Sequence, residues 1–162
     1  MLGYAGPPGP PFDQELVGAL ATLPSVVTTL HPEGIGKLRI LQAASALGDA
    51  ELSRSGTVTV SHHCVGSADG EPQVPLIVLR PAATTAALPI VYYVHGGGLV
   101  AGSYRDVHSY VLDQVGAGTA VVVSVEYRLA PEATHPAPVT DVYRGLVWPP
   151  STLRNSAPIR TG

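Results

Sequence analysis

The chain has 162 residues, 45% of them hydrophobic and 13% charged, which is the length of one domain with enough apolar material for a core; this excludes a charge-rich disordered protein. Nine Lys and Arg against twelve Asp and Glu give a net charge of -3 with no basic cluster, so no electrostatic feature calls for a nucleic-acid or anionic-membrane partner. With Cys64 the single cysteine, these residues can form neither an intrachain disulfide nor a thiolate cluster for zinc, and no apolar run approaches a membrane span.

Residues 1–11 are dominated by Pro and Gly and lack the basic and apolar regions of a secretory signal, so they read as a loose arm and the expected location is cytoplasmic. Asp13 then stands as an N-cap, with Phe12 placed to staple onto Val17. Leu16, Val17, Leu20 and Leu23 form the apolar stripe of a short helix that stops at Pro24. A second, weakly amphipathic helix is expected between Gly36 and Leu47, with Leu38, Leu41, Gln42 and Ser45 on one side.

After Gly56 the composition turns to β-branched residues. Residues 57–65 and 74–79 predict two antiparallel strands around a turn at Asp69-Gly70, and residues 89–94 a third strand. A helix is expected from Asp106 to Val115, with Val107, Tyr110, Val111 and Val115 inward and Gly116 and Gly118 ending it. The continuous apolar run 120–125 predicts a strand covered on both faces. The last helix opens at Pro138 and is expected to bury Val139, Val142, Tyr143, Leu146 and Val147 before Pro149-Pro150. The chain thus divides into an arm with helices (1–55), an α/β core (56–148) and a tail without helical or apolar period (149–162).

Chemistry concentrates at His95-Gly96-Gly97-Gly98, directly after the third strand. Consecutive glycines let backbone N–H groups approach a ligand closely, as an oxyanion hole requires. Gly96-Gly97-Gly98-Leu99-Val100-Ala101 also satisfies G-x-G-x-x-A, and Glu126 ends the next strand where a dinucleotide fold would bond a ribose. Against the nucleotide stand His95, which has no role in that fingerprint, and Gly102-Ser103-Tyr104-Arg105, which interrupts the helix that should receive the pyrophosphate. A plain tight turn explains one glycine better than three. His31, His62, His63 and His108 have no carboxylate at ligand spacing in sequence and read as packed or solvated; no metal site and no cofactor are expected.

Behind the glycines comes Glu126-Tyr127-Arg128-Leu129-Ala130-Pro131-Glu132, then His135-Pro136-Ala137-Pro138 and Asp141. In these two motifs, in this order, the chain resembles the hormone-sensitive-lipase branch of the α/β hydrolases, carboxylesterases among them. The resemblance covers residues 57–148 and implies the N-terminal half of an α/β-hydrolase sheet with N-terminal lid helices. It implies Gly97 and Gly98 as oxyanion donors, His95 as the anchor of their loop, and Tyr127, Arg128 and Glu132 as structural, an Arg with its carboxylate partner under the site. It further implies a small ester as substrate. Leu99 and His135 stand where relatives often carry an aromatic residue and a Phe, which bears on pocket shape.

The family's nucleophile sits in G-x-S-x-G, and none of the serines here has glycine two residues before and two after. The resemblance puts that elbow, and the acid and histidine after it, beyond residue 162, so the chain is expected to be inactive alone. The tail suggests a cause: written in GC-rich codons and read two bases later, it would encode a helix and turn resembling those of the family, and the expectation is a frameshift after Trp148.

Overall fold

A computed structural model describes residues 13–22, 31–66 and 70–148. Two compact units divide at Pro32 and Glu33. The first contains α1 (Gln14–Thr22), capped as expected by Asp13, whose Oδ1 accepts the Glu15 N–H at 2.9 Å. Leu16 and Val17 on this helix are exposed. Phe12, Leu23 and Pro24 lie outside the described residues, as does Asp69 of the expected turn.

The second unit follows a single 3-10 turn with α2 (Ile35–Ala43), α3 (Asp49–Leu52), β1 (Val58–Val65), β2 (Val74–Pro81), β3 (Ile90–Val94), α4 (Ser109–Gly116), β4 (Val121–Val125) and α5 (Ala137–Leu146). The four strands form one sheet in the order β1-β2-β4-β3. β1 pairs antiparallel with β2 through Val58 opposite Pro81 to Val65 opposite Val74, as the hairpin pattern requires. β2 pairs antiparallel with β4, and β4 runs parallel to β3 with Ile90 opposite Val121. No helix among the described residues is long and apolar enough to cross a membrane.

The side-chain period of two explains the two cores. On one face Ile77, Leu79 and Val122 pack with Leu52, Val58, Val107, Val111, Leu112 and Val115. On the other Leu76, Val78, Val121, Val123 and Val125 pack with Val74 and Tyr127, flanked by Tyr92 and Val142. β4 is buried at all five positions, which is why its sequence is a continuous apolar run without alternation.

Three helix faces depart from the sequence expectation. α4 starts at Ser109, three residues later than expected, because Asp106 closes a turn: its carboxylate accepts the Ser103 N–H at 2.8 Å and its own N–H bonds the Ser103 carbonyl. Tyr110 is consequently exposed, and Leu112 joins Val111 and Val115 in the core. In α2, Leu41 is exposed while Leu38, Arg39 and Gln42 are half-buried, so the inward side is more polar than the pattern suggested.

α5 turns the largest fraction of its apolar residues the wrong way. Val139, Tyr143, Leu146 and Val147 are exposed, and the buried stripe is Pro138, Asp141 and Gly145 with half-buried Val142. The reason is a buried ion pair and a close approach. Asp141, 1% exposed, is held by Arg128, and a Cβ on Gly145 would run into the Tyr92 hydroxyl, 3.1 Å from Leu76 Cδ2 and 3.2 Å from Val125 Cγ2. Tyr92 donates that hydroxyl to the Val142 carbonyl at 2.7 Å, and burial pushes its pKa up.

Gly145→Ala should therefore destabilise the fold. Overpacking costs about 1–3 kcal/mol, of which the better helix propensity of Ala returns up to about 1 kcal/mol; urea unfolding reads the difference, and an unchanged midpoint contradicts the packing. β3 supplies a second expectation. Among the described residues no strand pairs with its outer edge, and Ile90, Val91 and Val94 are exposed there. Light scattering should detect self-association of the chain that Ile90→Lys reduces, and a monomer of sharp cooperative melting excludes it.

Candidate active site

Because β3 and β4 are parallel neighbours, the segments that follow them emerge side by side at one end of the sheet. The first is the glycine loop, 95–98, and the second is 126–132. His95 is buried, with its imidazole stacked on the Tyr127 ring at 4.1 Å between centroids and 8° between planes. Its Nδ1 donates to the Gly96 carbonyl at 2.9 Å, and the Tyr127 hydroxyl donates to the His95 carbonyl at 2.8 Å. Burial pushes the Tyr127 pKa up, with the nearby Glu126 charge adding to it, so this hydroxyl stays a donor.

The backbone then turns through three successive residues of positive φ: Gly97 at 118°, Gly98 at 63° and Leu99 at 64°. Glycine is required at Gly97 on a second ground, since a Cβ there would collide with the Ala101 carbonyl. That carbonyl lies close because the turn folds back, with the Val100 and Ala101 N–H groups both bonding the Gly97 carbonyl at 3.2 Å. Gly102 is similarly constrained, its missing Cβ leaving room for the Gly96 carbonyl and the His95 ring. Among the described residues no acceptor meets the Gly97 or Gly98 N–H.

Gly96 and Gly97 line a depression of about 560 Å³ whose other walls include Gln42 near the end of α2, Ser45 in the turn after it, Tyr93 from β3, and Arg105, His108 and Ser109 before and at the start of α4. The buried Gln42 Oε1, without a hydrogen-bond partner among the described residues, adds a polar spot. Arg105 is fixed at this rim by Asp49, whose carboxylate accepts from its Nη1 at 2.7 Å and contacts His62 Nε2 at 2.9 Å. Those two bonds, that with His62 first, hold the Asp49 pKa below its ordinary value. His62 thus does have a carboxylate neighbour, brought in by α3 from thirteen residues away, which sequence spacing hid.

Two observations weigh against the nucleotide alternative. No helix begins at the glycines, since α4 starts at Ser109, and the Glu126 carboxylate is occupied by the Tyr104 N–H at 2.8 Å and the Ser103 hydroxyl at 3.3 Å. Among the described residues no group of His, Cys, Asp and Glu could hold a metal.

The ion pairs of the second motif also differ from the simple Arg-and-partner reading. Arg128 binds Asp141 through Nε at 2.7 Å and Nη2 at 2.9 Å, and reaches Glu71 at 3.0 Å. Glu132 instead takes a two-pronged contact, both bonds 2.8 Å, from Arg39 on α2. Sequence reasoning missed Arg39 altogether, because its partners are more than sixty positions away. Asp141 had a faint signal, standing between Pro138 and Gly145 at helical spacing.

A family model described as an alpha/beta hydrolase fold matches residues 91–156. Carboxylesterase NlhH of Mycobacterium tuberculosis is 34% identical over 140 residues, 86% of this chain and 42% of that protein. Esterase LipI of the same species is 45% identical over 64 residues, 39% of this chain and 20% of LipI. Among solved structures, a bacterial heroin esterase matches with a TM-score of 0.65 and 31% identity over 84% of this chain and 42% of the esterase. An esterase of Pyrobaculum calidifontis matches with a TM-score of 0.60 and 29% identity, over 85% of this chain and 42% of that one. The chain spans less than half the length of these relatives.

The Arg39 contact sets a measurable titration. It holds the Glu132 carboxyl at about 2, below its ordinary 4.5, so the ion pair is complete above the ordinary value and is lost as pH falls through the lowered one. Carboxyl carbon shifts followed by NMR should give a Glu132 midpoint near 2, returning toward the ordinary value in Arg39→Ala; the same midpoint in both proteins refutes the pairing.

Proposed function

We propose that the chain, which has the fold of α/β hydrolases and is similar to carboxylesterases over less than half of their length, is part of a serine ester hydrolase in which His95-Gly96-Gly97-Gly98 is the oxyanion hole. The observation that carries this reading is the turn of positive φ at the end of β3, in which the Gly97 and Gly98 N–H groups have no acceptor among the described residues and Gly97 lines an open depression. Two such donors suit the oxygen of an ester carbonyl as it gains negative charge. His95 anchors the loop through its stack on Tyr127 and its bond to Gly96 and takes no proton from substrate.

In the proposed reaction a serine oxygen attacks the ester carbonyl carbon while a base takes the hydroxyl proton, and the oxyanion rests on Gly97 and Gly98. The intermediate collapses by breaking the bond to the alcohol, which leaves with a proton. Water then releases the acid from the acyl-enzyme by the same two steps. The serine, acid and histidine are proposed to come from sequence outside these 162 residues, which contain no G-x-S-x-G. The substrate is proposed to be a small, short-acyl ester, with α2 and the turn after it acting as part of a lid through Gln42 and Ser45.

With p-nitrophenyl butyrate the 162-residue chain should show no hydrolysis above buffer, and NAD(H) added under fluorescence should show no binding. A longer product that includes the downstream sequence should hydrolyse the ester. In it Gly97→Ala, whose Cβ would collide with the Ala101 carbonyl and so displace the donor turn, should lower kcat about 100- to 1,000-fold with little change in KM, as loss of an oxyanion donor does. Full activity of that variant would remove the Gly97-Gly98 turn from the reaction.

A further inference from the structure

The turn that makes the loop useful is not self-sustaining. Leu99 carries a Cβ at a φ of 64°, a left-handed conformation that costs about 1–2 kcal/mol for a residue other than glycine. Such backbone persists when its surroundings over-determine it. Two contacts do so here: the Ala130 N–H bonds the Leu99 carbonyl at 2.8 Å, and Arg39 Nε bonds the Val100 carbonyl at 2.7 Å.

The same guanidinium reaches the other partner of the turn. Arg39 Nη2 donates to the Ala130 carbonyl at 2.7 Å, and Nη1 and Nη2 each donate to Glu132 at 2.8 Å. A single side chain of α2 therefore bonds the far side of the glycine turn, the residue whose N–H holds Leu99, and the carboxylate that orients the guanidinium. Only a planar fork with several donors can make these contacts at once; a lysine ammonium is a point charge and could keep one or two. Arg39 lines a separate depression of about 420 Å³ and not the one opened by Gly96 and Gly97, so its influence on the loop passes through the backbone.

From this convergence we infer that Arg39 is a positioning residue for the oxyanion hole, clamping the turn 97–101 onto the segment 130–132 and coupling the seating of α2 to the shape of the donor pair. Its catalytic consequence rests on the function proposed above; the clamp itself does not.

Amide hydrogen exchange on the 162-residue chain tests the clamp without any need for activity. In Arg39→Ala, peptides covering 95–101 and 129–132 should exchange at least about tenfold faster while β2 and β4 keep their protection, and Arg39→Lys should fall between. Unchanged exchange in the loop overturns the clamp, and so does a uniform acceleration through the sheet, which a general loss of stability would give. Should the alanine variant not fold, the lysine variant decides by the same comparison. In the longer, nucleophile-bearing product, Arg39→Ala should lower kcat about 10- to 100-fold with KM held within about threefold, and Arg39→Lys should recover part of it. Loop loosening with unchanged kcat overturns the positioning role, whereas a longer wild-type product with no esterase activity refutes the function and leaves the clamp standing.

Discussion

The turn after β3 passes through three residues of positive φ, and the rest of the site holds this backbone in place through contacts from other segments. Glycine removes the steric cost at the first two positions, and at Gly97 it also admits the Ala101 carbonyl. The third position is Leu99, where no such relief exists. Its cost is offset from outside by Ala130, and by Arg39 bonding the next carbonyl. His95 and Tyr127 fix the entry to the turn, Gly102 its exit, and Glu126 the segment beyond. What results is a loop held on three sides in which the Gly97 and Gly98 N–H groups meet no acceptor among the described residues.

That arrangement depends in turn on parallel pairing. β3 and β4 deliver their following segments to the same end of the sheet, and the stacking of His95 on Tyr127 joins residues 32 positions apart. β4 can occupy the sheet's interior because its residues are apolar on both faces, whereas β3 has neighbours on one side only among the described residues. The exposed Ile90, Val91 and Val94 are the complement of that asymmetry.

Charge placement explains where pattern reading failed. In α5 the eye follows Val139, Val142, Tyr143 and Leu146, yet the helix is rotated so that Asp141 meets Arg128 and Gly145 lets β4 and Tyr92 come close. A buried carboxylate left without its arginine would cost several kcal/mol, about 3–5 by general experience with such pairs, against about 1.5–3 kcal/mol for burying one large apolar side chain. The pair therefore outweighs any one of the apolar residues left outside. Similar reasoning applies to Arg39, Asp49 and His62: each has its partner on another element, and nothing local marks it.

The sequence by itself determined the order of the four strands with α2, α4 and α5, the two-faced burial of β4, and the place of the glycine loop after β3, because hydrophobic period, β-branched runs and glycine clusters are local signals; the short α3 carried no such signal. It also carried the family resemblance, in two motifs about thirty residues apart. Tertiary structure alone decided which face of α2, α4 and α5 turns inward, that Glu132 belongs to Arg39 and Arg128 to Asp141, and that Glu126 and His62 are already engaged. Those are choices between partners far apart in the chain, and their energies exist only once the sheet has brought the partners within hydrogen-bonding distance.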